Sequence, residues 1–145
     1  MCPTAWGDGG AGESCTLVFP AEPRWVRTAR EAVRTLITPA GAAVAETAAL
    51  LTSEVVTNAI RATVGASTPT CTVPVVLHAV RIGAGRLRVR VRDGAPGTPA
   101  VPIRDAADEA GAEGGRGLML LSACATGWGV CRHRPGRGKS VWFDL

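Results

Sequence analysis

A carboxylate and an amide four residues apart, Glu54 and Asn58, interrupt the otherwise apolar segment Leu50-Leu51-Thr52-Ser53-Glu54-Val55-Val56-Thr57-Asn58-Ala59. At helical spacing both side chains leave the same face. Setting them beside Val55, Val56 and Ala59 is unfavourable unless something hydrogen-bonds or charges them, and a ligand that carries a metal ion would do both. Taken alone, the pair is more simply a capped or solvated helix face. Three glycine-bearing motifs further along the chain change that balance.

The first closes the segment Arg86-Leu87-Arg88-Val89-Arg90-Val91-Arg92-Asp93, where Leu87, Val89 and Val91 alternate with arginines at the period of a half-buried strand. Gly94-Ala95-Pro96-Gly97 then turns the chain, so Asp93 is presented at a strand end, where its carboxylate could accept hydrogen bonds from a ligand amino group. The second, Glu113-Gly114-Gly115-Arg116-Gly117-Leu118, opens onto the apolar run Leu118-Met119-Leu120-Leu121. Glycines at a helix start allow close backbone approach and direct free amides at an anion, which suits a phosphate; an ordinary loop capping a core helix is the plainer alternative. The third is the segment Gly138-Lys139-Ser140-Val141-Trp142-Phe143-Asp144-Leu145, a strand whose Ser140 hydroxyl could reach a ligand near Asp93; a plain closing strand is the alternative.

The elements that must hold these residues are legible in outline. Residues 1–15 are glycine-rich and aperiodic and read as a flexible leader, leaving residues 16–145 as one domain. A short strand is expected at 16–19. Val26, Ala29, Val33, Leu36 and Ile37 place a helix over 23–37, with Pro23 in its first turn and Pro39-Ala40-Gly41 ending it. A second helix over 43–64 carries Glu54 and Asn58. Strands over 71–80 and 86–92 flank Ile82-Gly83-Ala84-Gly85, a hairpin turn, with Pro74 pointing to an edge or an irregularity. The stretch 94–114 is too long for an ordinary connection and reads as a lid. A third helix at 117–126 and strands at 128–132 and 139–145 follow. The sum is an α/β fold, a two-layer sandwich with a mixed, mainly antiparallel sheet covered by helices on one face.

Composition narrows the class. With 145 residues, 46% of them hydrophobic, the chain can bury a core, and its apolar stretches are too short and interrupted to span a membrane. The N-terminus has no basic flank leading into an apolar core, so no secretory signal is read and a cytoplasmic location is expected. Five cysteines, with neither CxxC nor Cys/His ligand spacing, suggest free thiols and no zinc site. The net charge of +4 and the row Arg86, Arg88, Arg90, Arg92 invite a nucleic-acid interpretation, but the chain has no tyrosine and two phenylalanines, so stacking platforms are lacking and no direct nucleic-acid partner is expected. A solvated sheet face, with an acidic protein partner as the functional option, fits that row better. Lys139 is the only lysine among 16 basic residues, a bias typical of a GC-rich bacterial genome.

The order of the motifs is more specific than any one of them. Glu-x-x-x-Asn on a helix, a strand ending in Asp-Gly, Gly-x-Gly-Leu before a helix and a last strand with Lys-Ser-Val-Trp-Phe resemble the histidine-kinase-like (GHKL) ATPase superfamily. Within it, the chain is similar to the small bacterial anti-sigma-factor serine/threonine kinases over residues 17–145. The resemblance implies a Bergerat-type fold and ATP with Mg²⁺ as cofactors. It implies Glu54 as catalytic glutamate, Asn58 as the magnesium-binding residue, and Asp93 as reader of the adenine with Gly97 beside the base. Gly115, Arg116 and Gly117 would form the phosphate loop, and Ser140 stands where relatives commonly have threonine. The implied function is a regulatory protein kinase and anti-sigma factor whose protein partners are an anti-anti-sigma protein and a sigma factor, with a homodimer admitted. Relatives often have histidine four residues after the asparagine; here Ala62 stands there, with Arg61 a partial substitute. That departure supports one alternative, a non-catalytic, nucleotide-dependent partner-binding module; a second alternative is an ATPase without protein-kinase activity. A detached histidine-kinase catalytic domain is disfavoured, because no dimerisation helices or phosphoacceptor-histidine segment precede the domain.

Overall fold

The computed structural model describes residues 12–66, 73–94, 115–133 and 138–145. The elements are β1 (Ser14–Phe19), α1 (Trp25–Ile37), a 3-10 turn (Thr38–Ala40), α2 (Ala42–Ala66), β2 (Val75–Gly83), β3 (Arg86–Asp93), α3 (Gly115–Cys124), β4 (Gly127–Arg132) and β5 (Lys139–Asp144). Most boundaries differ from the sequence expectations by one or two residues, the usual scatter of fraying ends, while β2 runs Val75–Gly83 where 71–80 was expected. The expected lid at 94–114 lies almost wholly outside the described residues, as does most of the expected leader. No helix among the described residues is long and apolar enough to cross a membrane.

Five strands form one sheet in the order β1-β2-β3-β5-β4, with every pairing antiparallel. The sheet is therefore fully antiparallel among the described strands, where a mixed one was expected. Period-2 alternation divides it into two faces. One carries Leu17, Phe19, Val75, Leu77, Ala79, Leu87, Val89, Val91 and Phe143 into the core beneath the helices. The other carries Thr16, His78, Arg88, Arg90, Arg92, Ser140, Trp142 and Asp144, as the cross-strand register requires. Arg88 forms a two-pronged ion pair with Asp144, both bonds 2.7 Å, and stacks over Trp142, whose indole lies against the glycines of β4. The arginine row thus does occupy the face away from the helices.

Helix α1 buries Ala29, Val33 and Ile37, one residue per turn, and anchors its start by stacking Trp25 on Phe19 at 5.8 Å. Pro39 ends it in the 3-10 turn, and Gly41 at φ 114° redirects the chain into α2. Helix α2 buries a broad stripe from Ala45 through Leu51, Val55, Val56, Ala59 and Ile60, packing on α1, on β2 and β3, and on α3. Pro74 stands just before β2, which lies inside the sheet between β1 and β3, so it marks a strand start and not an edge. Cys15 and Cys124 are free thiols. Cys131 is disulfide-bonded, contrary to the expectation of free thiols throughout.

Candidate functional site

Glu54 and Asn58 sit half-buried on the flank of the buried stripe of α2, one turn apart. Their neighbour is the first turn of α3. A methyl group placed on Gly117 would lie 3.1 Å from Asn58 Nδ2 and 3.3 Å from Glu54 Oε2. The absence of a side chain at Gly117 is therefore what lets the backbone of α3 approach the carboxylate and the amide. Gly115 is the first residue of the same helix, so the free amides of this turn open beside the Glu54–Asn58 pair. Motifs 60 residues apart in sequence converge as the motif order requires.

The second part of the site is the end of β3. Asp93 is 4% exposed, and its Oδ2 accepts a hydrogen bond from Lys139 Nζ at 2.6 Å. The cause is register: Asp93 and Lys139 are directly opposed in the β3–β5 ladder and leave the sheet on the helix side. The two strand ends are pinched together by Gly138, at φ 77°, where an added Cβ would collide with the carbonyl oxygen of Asp93. Glycine is obligatory here on both conformational and steric grounds.

Ser140 does not lie where the sequence suggested. It opposes Arg92 on one side and Cys131 on the other, so it projects from the face opposite Asp93. There its hydroxyl is 2.8 Å from His133 Nε2. The expectation that Ser140 reaches a ligand near Asp93 is corrected by one residue, and Lys139 holds that position. His133 is held below the usual histidine range by burial, then by Arg92 and Arg90, with Asp93 opposing. His78, 2.8 Å from Thr16 Oγ1, is lowered by burial and then by Arg90. Gly97 and the side chain of Arg116 lie outside the described residues. Sequence reasoning passed over Lys139; the two-residue period counted from Val141 puts it on the core face of β5, but its pairing with Asp93 follows only from the register.

The donor set can be tested against a magnesium nucleotide. Among the described residues no cluster of three or more His, Cys, Asp or Glu could enclose a metal. Magnesium needs none: it takes one or two protein oxygens and completes its shell with phosphate and water. Glu54 and Asn58 each carry a side-chain oxygen, which meets that demand in number and type, and Gly117 brings the first turn of α3 against both residues.

No curated protein matches the chain. A family model described as the histidine kinase-like ATPase domain matches residues 19–144, from the last residue of β1 to the last residue of β5. Motif order, the antiparallel sheet under its helices and the meeting of α2 with the glycine-opened α3 all agree with that match. The chain belongs to the histidine kinase-like ATPase domain family, a family of ATP-binding domains.

Proposed function

We propose that the chain is a magnesium- and ATP-dependent serine/threonine protein kinase that acts as an anti-sigma factor, with an anti-anti-sigma protein as its phosphoacceptor. The observation that supports this reading is the close approach of Gly117 to Glu54 and Asn58, so tight that an added Cβ would lie 3.1 Å from Asn58 Nδ2 and 3.3 Å from Glu54 Oε2. A carboxylate, an amide side chain and helix-start amides thereby lie side by side, a grouping that suits a magnesium-bound phosphate. Asp93, at the far end of β3, supplies an acceptor for the base.

In this site the first-turn amides of α3 hold phosphate oxygens, and Asn58 orients the bound cation. Bound magnesium would neutralise charge on the phosphates. Glu54 accepts the proton of the acceptor hydroxyl as its oxygen bonds to the γ-phosphorus. The bond from that phosphorus to the β–γ bridging oxygen breaks and the electron pair leaves with ADP. Ala62 in the histidine position favours a second reading, a module that binds nucleotide and partner without phosphotransfer.

One experiment separates the two. The protein is incubated with γ-labelled ATP, Mg²⁺ and a small anti-anti-sigma domain protein, and transfer of label is followed. Transfer that Glu54→Ala abolishes, with nucleotide binding largely kept, supports the kinase, and Asn58→Ala should weaken magnesium-dependent binding. ATP binding with no transfer to any such acceptor supports the binding module.

A further inference from the structure

The contact between Lys139 and Asp93 changes what the base position can recognise. A carboxylate alone is acceptor-only. It suits the 6-amino group of adenine and opposes the 6-oxo group of guanine, acceptor against acceptor. Here the carboxylate is not alone. Lys139 Nζ sits 2.6 Å from Oδ2, and the two side chains are 20% and 5% exposed, so the pair is shielded from solvent at a strand end. Oδ1 takes no hydrogen bond among the described residues. The pair offers an acceptor and, beside it, an ammonium with hydrogens to spare.

We infer that Lys139 makes this a purine site that accepts guanine as well as adenine nucleotides. The inference rests on the nucleotide-binding reading above. Adenine is met by Oδ1 accepting from its amino group while Nζ donates to N1. Guanine is met in the opposite order, Nζ donating to the oxo group and the carboxylate accepting from N1–H. The flexible four-carbon stem of lysine lets the ammonium pass from one carboxylate oxygen to the other, which permits both orders. Lysine is also distinctive in this chain, since the 15 other basic residues counted are all arginine. A planar guanidinium would hold the carboxylate in a fixed two-pronged geometry, as Arg88 holds Asp144.

Calorimetric titration with Mg-ATP and Mg-GTP tests this on the wild-type chain, on Lys139→Met and on Lys139→Thr. The wild type should bind GTP within about tenfold of ATP, and each variant should lose about tenfold or more in GTP affinity beyond any change for ATP. A spectroscopic readout needs no variant: lysine labelled with ¹³C at Cε gives a single side-chain signal, which both nucleotides should shift. Wild-type preference for ATP above about hundredfold, or variants that weaken both nucleotides equally, overturns the inference. Binding of ATP with exclusion of GTP sinks this inference alone. Binding of neither nucleotide to folded wild type removes the nucleotide reading and this inference with it. Where neither variant folds, the wild-type ratio and the Cε signal decide the question.

Discussion

Replacing Gly117 by alanine sets fold stability and site geometry against each other. Glycine costs a helix interior about 1 kcal/mol relative to alanine, and somewhat less in a first turn, so the substitution should leave the melting temperature unchanged or slightly raised. The new methyl would stand 3.1 Å from Asn58 Nδ2 and 3.3 Å from Glu54 Oε2, closer than the usual carbon-to-polar contact. Amide and carboxylate must therefore withdraw by a few tenths of an ångström. A displacement of ~1 Å at a reacting group costs ~100-fold in rate, which scales to a loss of about four- to tenfold in phosphotransfer here. Magnesium-dependent ATP affinity should fall with it, and Gly117→Val should exaggerate both losses. Paired thermal melts, Mg-ATP calorimetry and transfer assays read the two effects separately. An alanine variant that melts at or above the wild-type temperature and keeps both affinity and turnover would refute the claim that this close approach builds the site.

Gly138→Ala should destabilise the fold by about 2 kcal/mol or more, because the residue must hold a positive φ and the added carbon meets a backbone carbonyl; a urea melt with an unchanged midpoint would contradict it. Stability should also fall as pH drops through about 6.5, since His78 and His133 both have folded values below the ordinary one. The unfolded chain then binds protons more readily than the folded one, so their contribution is complete above the unfolded value and is lost on acidification. Melts at stepped pH should show His133→Asn flattening that dependence.

Much of the fold could be read because its periodicities are local. Leu87, Val89 and Val91 alternate through β3 as found, and Ala29, Val33 and Ile37 mark the buried face of α1. Glu54 and Asn58 share a face by helical geometry alone. What could not be read was long-range register. Which residue of β5 opposes Asp93 depends on a ladder between segments 46 residues apart. A slip of one residue exchanges the faces of every side chain. Choosing Ser140 by its hydroxyl and not by its parity with Val141 produced the error. Pro74 misled for the opposite reason: proline restricts the strand interior, but it sits comfortably at the first position before an interior strand.

The sheet also carries an order of assembly. Strands β2 and β3, like β4 and β5, are neighbours in sequence and can form as hairpins, whereas β3 and β5 meet only after the chain between them has closed. Arg88 and Asp144, 56 residues apart, mark the length of that closure at the far end of the seam. Such non-local pairings are slow, because loop entropy is lost before contact energy is gained. Asp93, Lys139 and Gly138 all lie on this seam, so the base position belongs to neither hairpin and exists only once the two have docked. Partial opening along β3 and β5 would erase it while both hairpins kept their own hydrogen bonds. Amide exchange across the seam is therefore expected to slow on nucleotide binding more than exchange within either hairpin.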